Sequence, residues 1–281
     1  DRAGAATTLR RAQERAATAR ENTRGPGWWL TSKLPGVGPN IRAVRLVADV
    51  VDELAGEVLP RVVQATATLR PENLRPRDGR IDLEPLREVE PAVVEADRLL
   101  QIQTRRVADL HLGNLAPQIA EPVRMMQREL GRASVLSDRA SRAVRLLPSM
   151  LGAERPRSYL LLFQNNAEVR ATGGIPGAFA LITADNGRLR MTAQGGAADL
   201  GSYTRPVLPL TRDELQLFGT GLGVYPASST FTPHFPRTAE LVQRQWLRAR
   251  GLEVDGVLSL DPVGLSYLLE GTGPVRLADK R

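Results

Sequence analysis

The sequence predicts an α+β chain: a bundle or stalk of long helices, then a mixed-sheet α/β domain. Three observations carry that expectation. Between Asn40 and Leu147 apolar residues recur at alternating spacings of three and four, the period of helices that bury one face. From Pro156 the period becomes that of strands. Beyond Phe235 helical and strand patterns alternate, which places helices against a sheet.

Residues 1–39 read as a connector helix and a Trp/Pro/Gly-rich loop. The first 23 residues are rich in Ala and Arg and favour helix, but Leu9 is their only large apolar residue. Gly25-Pro26-Gly27 breaks that helix. Trp28 and Trp29 follow, and the loop around them reads either as an apolar plug for one end of a bundle or as a lipid-interface element.

Residues 40–152 read as the helical bundle. A first seam runs Ile41, Val44, Ala48, Val51, Ala55, Val58, Val62, Ala65 and Leu69, about four heptads long, with Asn40 as its cap. Pro60 should kink or divide it. Pro71, Pro76 and Asp78-Gly79 turn the chain. The second seam runs from Leu86 through Gln103 to Leu110. The third runs from Ile119 through Leu130 and Ala133 to Leu147. The short turn at Gly113-Asn114 makes these two antiparallel neighbours.

Residues 156–281 read as the α/β domain, with its C-terminal end expected beyond the sequence. Strands are predicted at Ser158–Gln164, Ala178–Ala184, Leu189–Gln194, Asp255–Leu260 and Pro274–Leu277. Asp185-Asn186-Gly187 is a hairpin turn. Thr211 to Glu214 fits a capping box that opens a short helix to Phe218. Residues 219–235 read as a long functional loop. Pro236 opens a helix that Gly251 stops, and Asp261-Pro262 caps another.

Composition narrows function by exclusion. The absence of cysteine removes disulfides, thiolate metal sites and cysteine nucleophiles. No apolar run approaches the ~20 residues of a membrane span. The first residue is Asp, and the chain is expected to be part of a longer protein. The net charge is +7, yet it comes from scattered arginines, with Lys33 and Lys280 the only lysines. Aromatics are 4% of residues, too few for base-stacking platforms, so nucleic acid is not the expected partner.

The polar segment after the first strand carries the candidate site: Asn165, Asn166, Glu168, Arg170 and Thr172, closing on Gly173-Gly174. Arg170 reads either as a fork for phosphate or as a structural partner of Glu168. Asn165 and Asn166 either orient a ligand or hold a turn. Arg205 and His234 are further ligand-binding candidates, His234 reading as a possible acid or as a helix cap. Asp199 and Asp255 are the candidate metal ligands, and Asp261 reads as a cap. No Ser-His-Asp order, zinc spacing or Walker loop is present.

The stretches YLLLFQNNAEVRATGG, GAFALIT, FTPHFPRTAELVQRQW and VDGVLSLDPVGLSYLLEGTGPV resemble the domain-of-unknown-function family 4012. Those are membrane-anchored envelope proteins of high-GC Gram-positive bacteria. More remotely the chain is similar to the LytR-CpsA-Psr family, which transfers polyprenyl-linked glycopolymers onto peptidoglycan. The resemblance implies a LytR-CpsA-Psr-like domain on the extracytoplasmic face of the membrane, held by an anchor outside this sequence. It implies a polyprenyl-phosphate or glycopolymer ligand and Mg²⁺ as the metal; the binding reading requires an apolar groove, lined by strands, opening beside Arg170. Two departures bear on chemistry. No carboxylate follows Arg170 in Ala171 to Gly174, and Gln194 to Asp199 holds no arginine, Arg205 lying further on. The segment therefore reads as a binding loop rather than a catalytic one. A non-catalytic envelope scaffold is the second reading, and nucleic-acid binding, from charge alone, the third.

Overall fold

The computed structural model describes residues 2–69, 75–273 and 275. The chain divides into two compact units, Asp1–Ser149 and Met150–Arg281. The first is helical. The second holds a four-stranded mixed sheet, so the chain is α+β as its periodicities predict.

In the first unit α1 (Arg2–Asn22) and α2 (Pro26–Thr31) precede α3 (Gly38–Glu53). A π turn, Leu54–Val58, joins α3 to α4 (Leu59–Thr68). Then come α5 (Glu84–Ala108) and α6 (Pro117–Met150). The core combines Val50 and Val58 with Ala96, Leu100 and Val107 of α5 and Val123 and Leu130 of α6. Its drive is the removal of apolar surface from water, about 25 cal/mol per Å².

Pro60 stands in the first turn of α4, and the π turn just before it marks the expected interruption. Pro60 has no N–H for the ladder, and that turn takes up the mismatch. Val51 and Val62 of the first seam are about two-fifths exposed, while Ala43 and Val50 are buried. In α6 the buried small positions are Ser134 and Ser141 rather than Ala133 and Ala140. Asn40 lies inside α3 and is not its cap. Its Oδ1 accepts from the Ala116 N–H at 2.7 Å, tying α3 to the chain entering α6.

The first helix is more than a connector. Arg20 pairs with Asp52 at 2.6 Å and with Asp49 at 3.3 Å, and Gln13 donates to the Ala55 carbonyl. Between α4, α5 and α6 an apolar groove of about 620 Å³ stays open, with Val62, Leu100 and Leu136 in its wall.

In the second unit β1 (Arg157–Arg170), β2 (Gly173–Asp185), β3 (Arg188–Gly196) and β4 (Gly256–Leu260) stand in the order β3-β2-β1-β4. The first three are antiparallel neighbours, and β4 lies parallel to β1. A return in parallel needs a crossover. Here it contains α7 (Arg212–Phe218), α8 (Gly221–Val224), the 3₁₀ turn Pro226–Phe231 and α9 (Phe235–Arg250). Asp261 caps α10 (Pro262–Thr272) by accepting from the Gly264 N–H. Val242 and Trp246 of α9 pack on Leu160, Leu162 and Phe179 of the sheet.

Two expectations change. The segment 219–235 is no open loop: Leu222, Ser229 and Thr230 are fully buried, and Leu222 joins Val207 and Leu241 in a second core. Two internal hydrogen bonds help it enter the interior, Ser229 Oγ donating to Pro226 O and Thr238 Oγ1 to Ser229 O. The strand expected at Pro274–Leu277 falls outside the described residues apart from Val275, which has no regular structure.

Candidate functional site

The polar segment after the first apolar run is a continuation of β1, not a loop. β1 and β2 form one long hairpin turned at Ala171-Thr172. The strands continue because the polar residues can still pair their backbones: Val169 faces Gly174, and Arg170 faces Gly173. Between Asn165 and Val169 the ladder slips, so Asn166, Ala167 and Glu168 stand out of register as a wide bulge. Bulges re-aim side chains and gather near functional sites.

Both glycines of the turn are required by close approach. Gly173 has φ +126°, and a Cβ there would strike Gln164 Oε1. A Cβ on Gly174 would strike the Asn165 carbonyl. The hairpin tip rests on the 226–231 turn. Thr172 Oγ1 donates to Thr230 O at 3.3 Å, and the Arg170 guanidinium lies over the Phe231 ring at 4.9 Å.

Four buried polar atoms of the tip and its support have no hydrogen-bond partner among the described residues: Gln164 Nε2, Asn166 Oδ1, Arg170 Nε and Thr230 Oγ1. Gln164 is 5% exposed and Thr230 fully buried. An orphaned buried polar atom costs about 1–3 kcal/mol, so four in one region call for a partner. Arg170 also donates to the Val169 carbonyl and lies 3.7 Å from Glu168.

The remaining predicted residues divide. Asn165 holds a turn, its Oδ1 accepting from Ala167 N–H at 3.1 Å. Asn166 donates to Asp261 at 2.9 Å while its carbonyl oxygen is the orphan. The Gly264 N–H and then the Asn166 amide hold the Asp261 carboxyl below its ordinary pKa. His234 precedes α9 but does not cap it through its side chain, and it is exposed. Arg205 is exposed in the segment before α7.

Asp199 accepts from Gly196 N–H beside Phe179, away from the tip. Asp255 lies at the opposite end of β1, where it accepts from Ser158 N–H, Arg155 and Arg157. Burial pushes its pKa up, but those three donors together hold it below the ordinary value. Each candidate metal ligand is engaged separately, and among the described residues no group of three acidic, His or Cys side chains could hold a metal. The carboxylates at the tip are Glu168, beside Arg170 at 3.7 Å, and Asp261, held by the Gly264 N–H and the Asn166 amide, so no carboxylate cluster for Mg²⁺ is assembled there.

What the tip offers is a guanidinium, an amide donor, an amide acceptor and a hydroxyl. Such donors and acceptors are of the type that hydrogen-bond anionic or hydroxyl-bearing groups. Gln164 and Thr230 were not expected here. Gln164 had a readable signal: it follows Leu160 and Leu162 at spacing two, so it sits polar on the core face of β1. Thr230 had none, because its burial comes from a crossover that folds back under the hairpin.

Residues 154–281 match the model of the family described as "Protein of unknown function (DUF4012)". The second unit is a DUF4012 domain. The sheet, the hairpin tip and the crossover all fall within the matched residues of that domain. No curated protein and no solved structure matches the chain.

Proposed function

We propose that the DUF4012 domain is a binding module of the cell envelope, and that its hairpin tip receives a phosphate-bearing or hydroxyl-rich ligand of the polyprenyl-phosphate or glycopolymer class. The observation that carries this is the set of orphaned buried atoms around Arg170. A phosphate oxygen can accept from Arg170 and Gln164, and a sugar hydroxyl can donate to Asn166. The remote LytR-CpsA-Psr resemblance supplies the ligand class. Placement on the extracytoplasmic face, with an anchor elsewhere in the protein, belongs to the same reading. Binding without transfer is favoured, because no carboxylate follows Arg170 in Ala171 to Gly174, and Asp261 and Asp255 are engaged in capping and ion pairing.

Titration with a short-chain polyprenyl phosphate tests this. Arg170→Ala should weaken binding by about tenfold or more, the worth of one charge-assisted hydrogen bond. Gln164→Leu, which keeps the packing volume, should weaken it by less. Equal affinity in wild type and both variants would leave the non-catalytic scaffold as the better reading.

A further inference from the structure

The segment from Pro26 to Gly38 is built inside out. Its polar groups turn inward. Ser32 is 6% exposed, its hydroxyl donating to Trp29 O at 2.6 Å. Thr31 Oγ1 donates to Gly27 O at 2.8 Å. Arg42 reaches back from α3 to donate to Ser32 O at 2.8 Å, and Gly38 N–H closes onto Leu34 O at 2.9 Å. Gly38 lies so close to the Ser32 carbonyl that a Cβ would approach it to 2.6 Å. The knob is therefore ordered by its own bonds.

Its apolar side chains turn outward. Trp29 is 58% exposed, Leu30 64%, Leu34 51% and Val37 50%, all within nine residues. Trp28 is half-buried. These residues do not plug the bundle. Four large apolar groups held in water by an internally bonded turn mark an interaction surface rather than a core.

Charge identifies the occupant. No acidic residue occurs from Asn22 to Ala48, whereas Arg24, Lys33, Arg42 and Arg45 do. Arg24 shares its charge with Asp49. Lys33 stands over the Trp29 ring at 5.7 Å, its ammonium beside the apolar cluster. Exposed tryptophan and leucine with cations at their edge and no acid nearby is the chemistry of an interfacial lipid contact.

We infer that the Trp29–Val37 knob docks on an anionic lipid surface, inserting Trp29, Leu30, Leu34 and Val37 below headgroups that Lys33 and Arg42 contact. This surface lies in the helical unit and does not depend on the Arg170 reading, so either can fail alone.

The test uses the full chain with vesicles of phosphatidylglycerol and phosphatidylcholine, read by sedimentation and by quenching of tryptophan with brominated lipid. Trp246 is buried in the second unit, so quenching reports Trp28 and Trp29. Wild type should bind and be quenched. The triple variant Leu30→Ser, Leu34→Ser, Val37→Ser keeps both tryptophans and should bind about tenfold or more weakly, since binding scales with inserted apolar area. Trp29→Ser alone should weaken binding by a smaller factor, and covers the case in which the triple variant loses its helical circular dichroism. Lys33→Glu should weaken binding to phosphatidylglycerol vesicles and leave neutral ones unchanged. Vesicle binding without quenching, equal binding by wild type and variants, or no binding at low salt overturns the inference. Self-association abolished by the triple variant, with no lipid binding, overturns it in favour of a protein partner.

Discussion

A single carboxylate, Asp255, closes the first end of β1. It is 18% exposed and accepts from Ser158 N–H at 2.9 Å, Arg157 at 2.9 Å and Arg155 at 2.6 Å. Its folded pKa lies below the unfolded value of about 3.9. The stabilisation is therefore full above that unfolded value and is lost as the pH falls through the folded one. Asp255→Asn should cost about 1–3 kcal/mol at pH 7, measured by urea denaturation. The gap to wild type should close as the pH is lowered toward 3. A constant gap across that range would mean that packing, not charge, holds the site. At the other end of β1 the controlling residue is Gly174. Gly174→Ala places a methyl against the Asn165 carbonyl, which must shift and open the Val169–Gly174 pair. A loss of about 1–3 kcal/mol is expected on overpacking grounds, together with weaker binding at Arg170. Unchanged stability would show that the hairpin tip has room the geometry denies.

At the scale of elements, α9 carries both the strength and the weak point of the second unit. Leu241, Val242 and Trp246 are buried against the sheet and the crossover, and Phe179 meets Trp246 edge to face at 5.4 Å. Between them Gln245 is fully buried, and neither its Nε2 nor its Oε1 has a partner among the described residues. Replacing an unsatisfied amide by an apolar group of similar shape is neutral or stabilising. Gln245→Met should raise stability by about 1 kcal/mol in chemical denaturation. Destabilisation would indicate that a bound molecule uses the amide. The same elements show what the sequence could reveal. Helices α5 and α9, the Asn186-Gly187 turn and the Thr211–Glu214 capping box were legible because each follows from local period or local bonding. The π form of the interruption before Pro60 was not, since a one-residue insertion leaves the apolar spacing unchanged over short windows. The burial of 219–235 was also hidden. Its Gly, Pro, Ser and Thr residues read as loop, and only pairing across the crossover, as in Thr238 to Ser229, makes that backbone fit the interior. At the site, Arg170 was legible as a lone cation beside glycines, but its neighbours Thr230 and Phe231 come from sixty residues away and meet it only in three dimensions.

For the whole molecule the net charge of +7 is the property most open to misreading. Much of it is answered locally. Arg20 and Arg24 face Asp49 and Asp52, Arg155 and Arg157 face Asp255, and Arg237 bridges Glu214 and Glu240. In the Arg237 bridge, hydrogen bonding from Arg237 leads in holding Glu214 below its ordinary pKa, so that pair stays ionised well below neutrality. What remains is spread along the sequence of both units, and stacking aromatics are few. A specific nucleic-acid site concentrates cations to release many counterions at once, which makes affinity fall steeply with salt. Scattered charge gives a weak version of that effect. Duplex DNA should therefore bind without sequence preference at about 20 mM salt and be released by about 150 mM, with a log–log slope corresponding to only a few phosphates. Anionic vesicles should behave differently if the Trp29–Val37 knob inserts. Its apolar share of the binding is insensitive to salt, so a measurable fraction should remain bound at 150 mM, where the Debye length is about 8 Å. Measuring both salt series on the same preparation separates diffuse charge from a built surface. Tight, salt-resistant DNA binding would reverse the assignment of the positive charge.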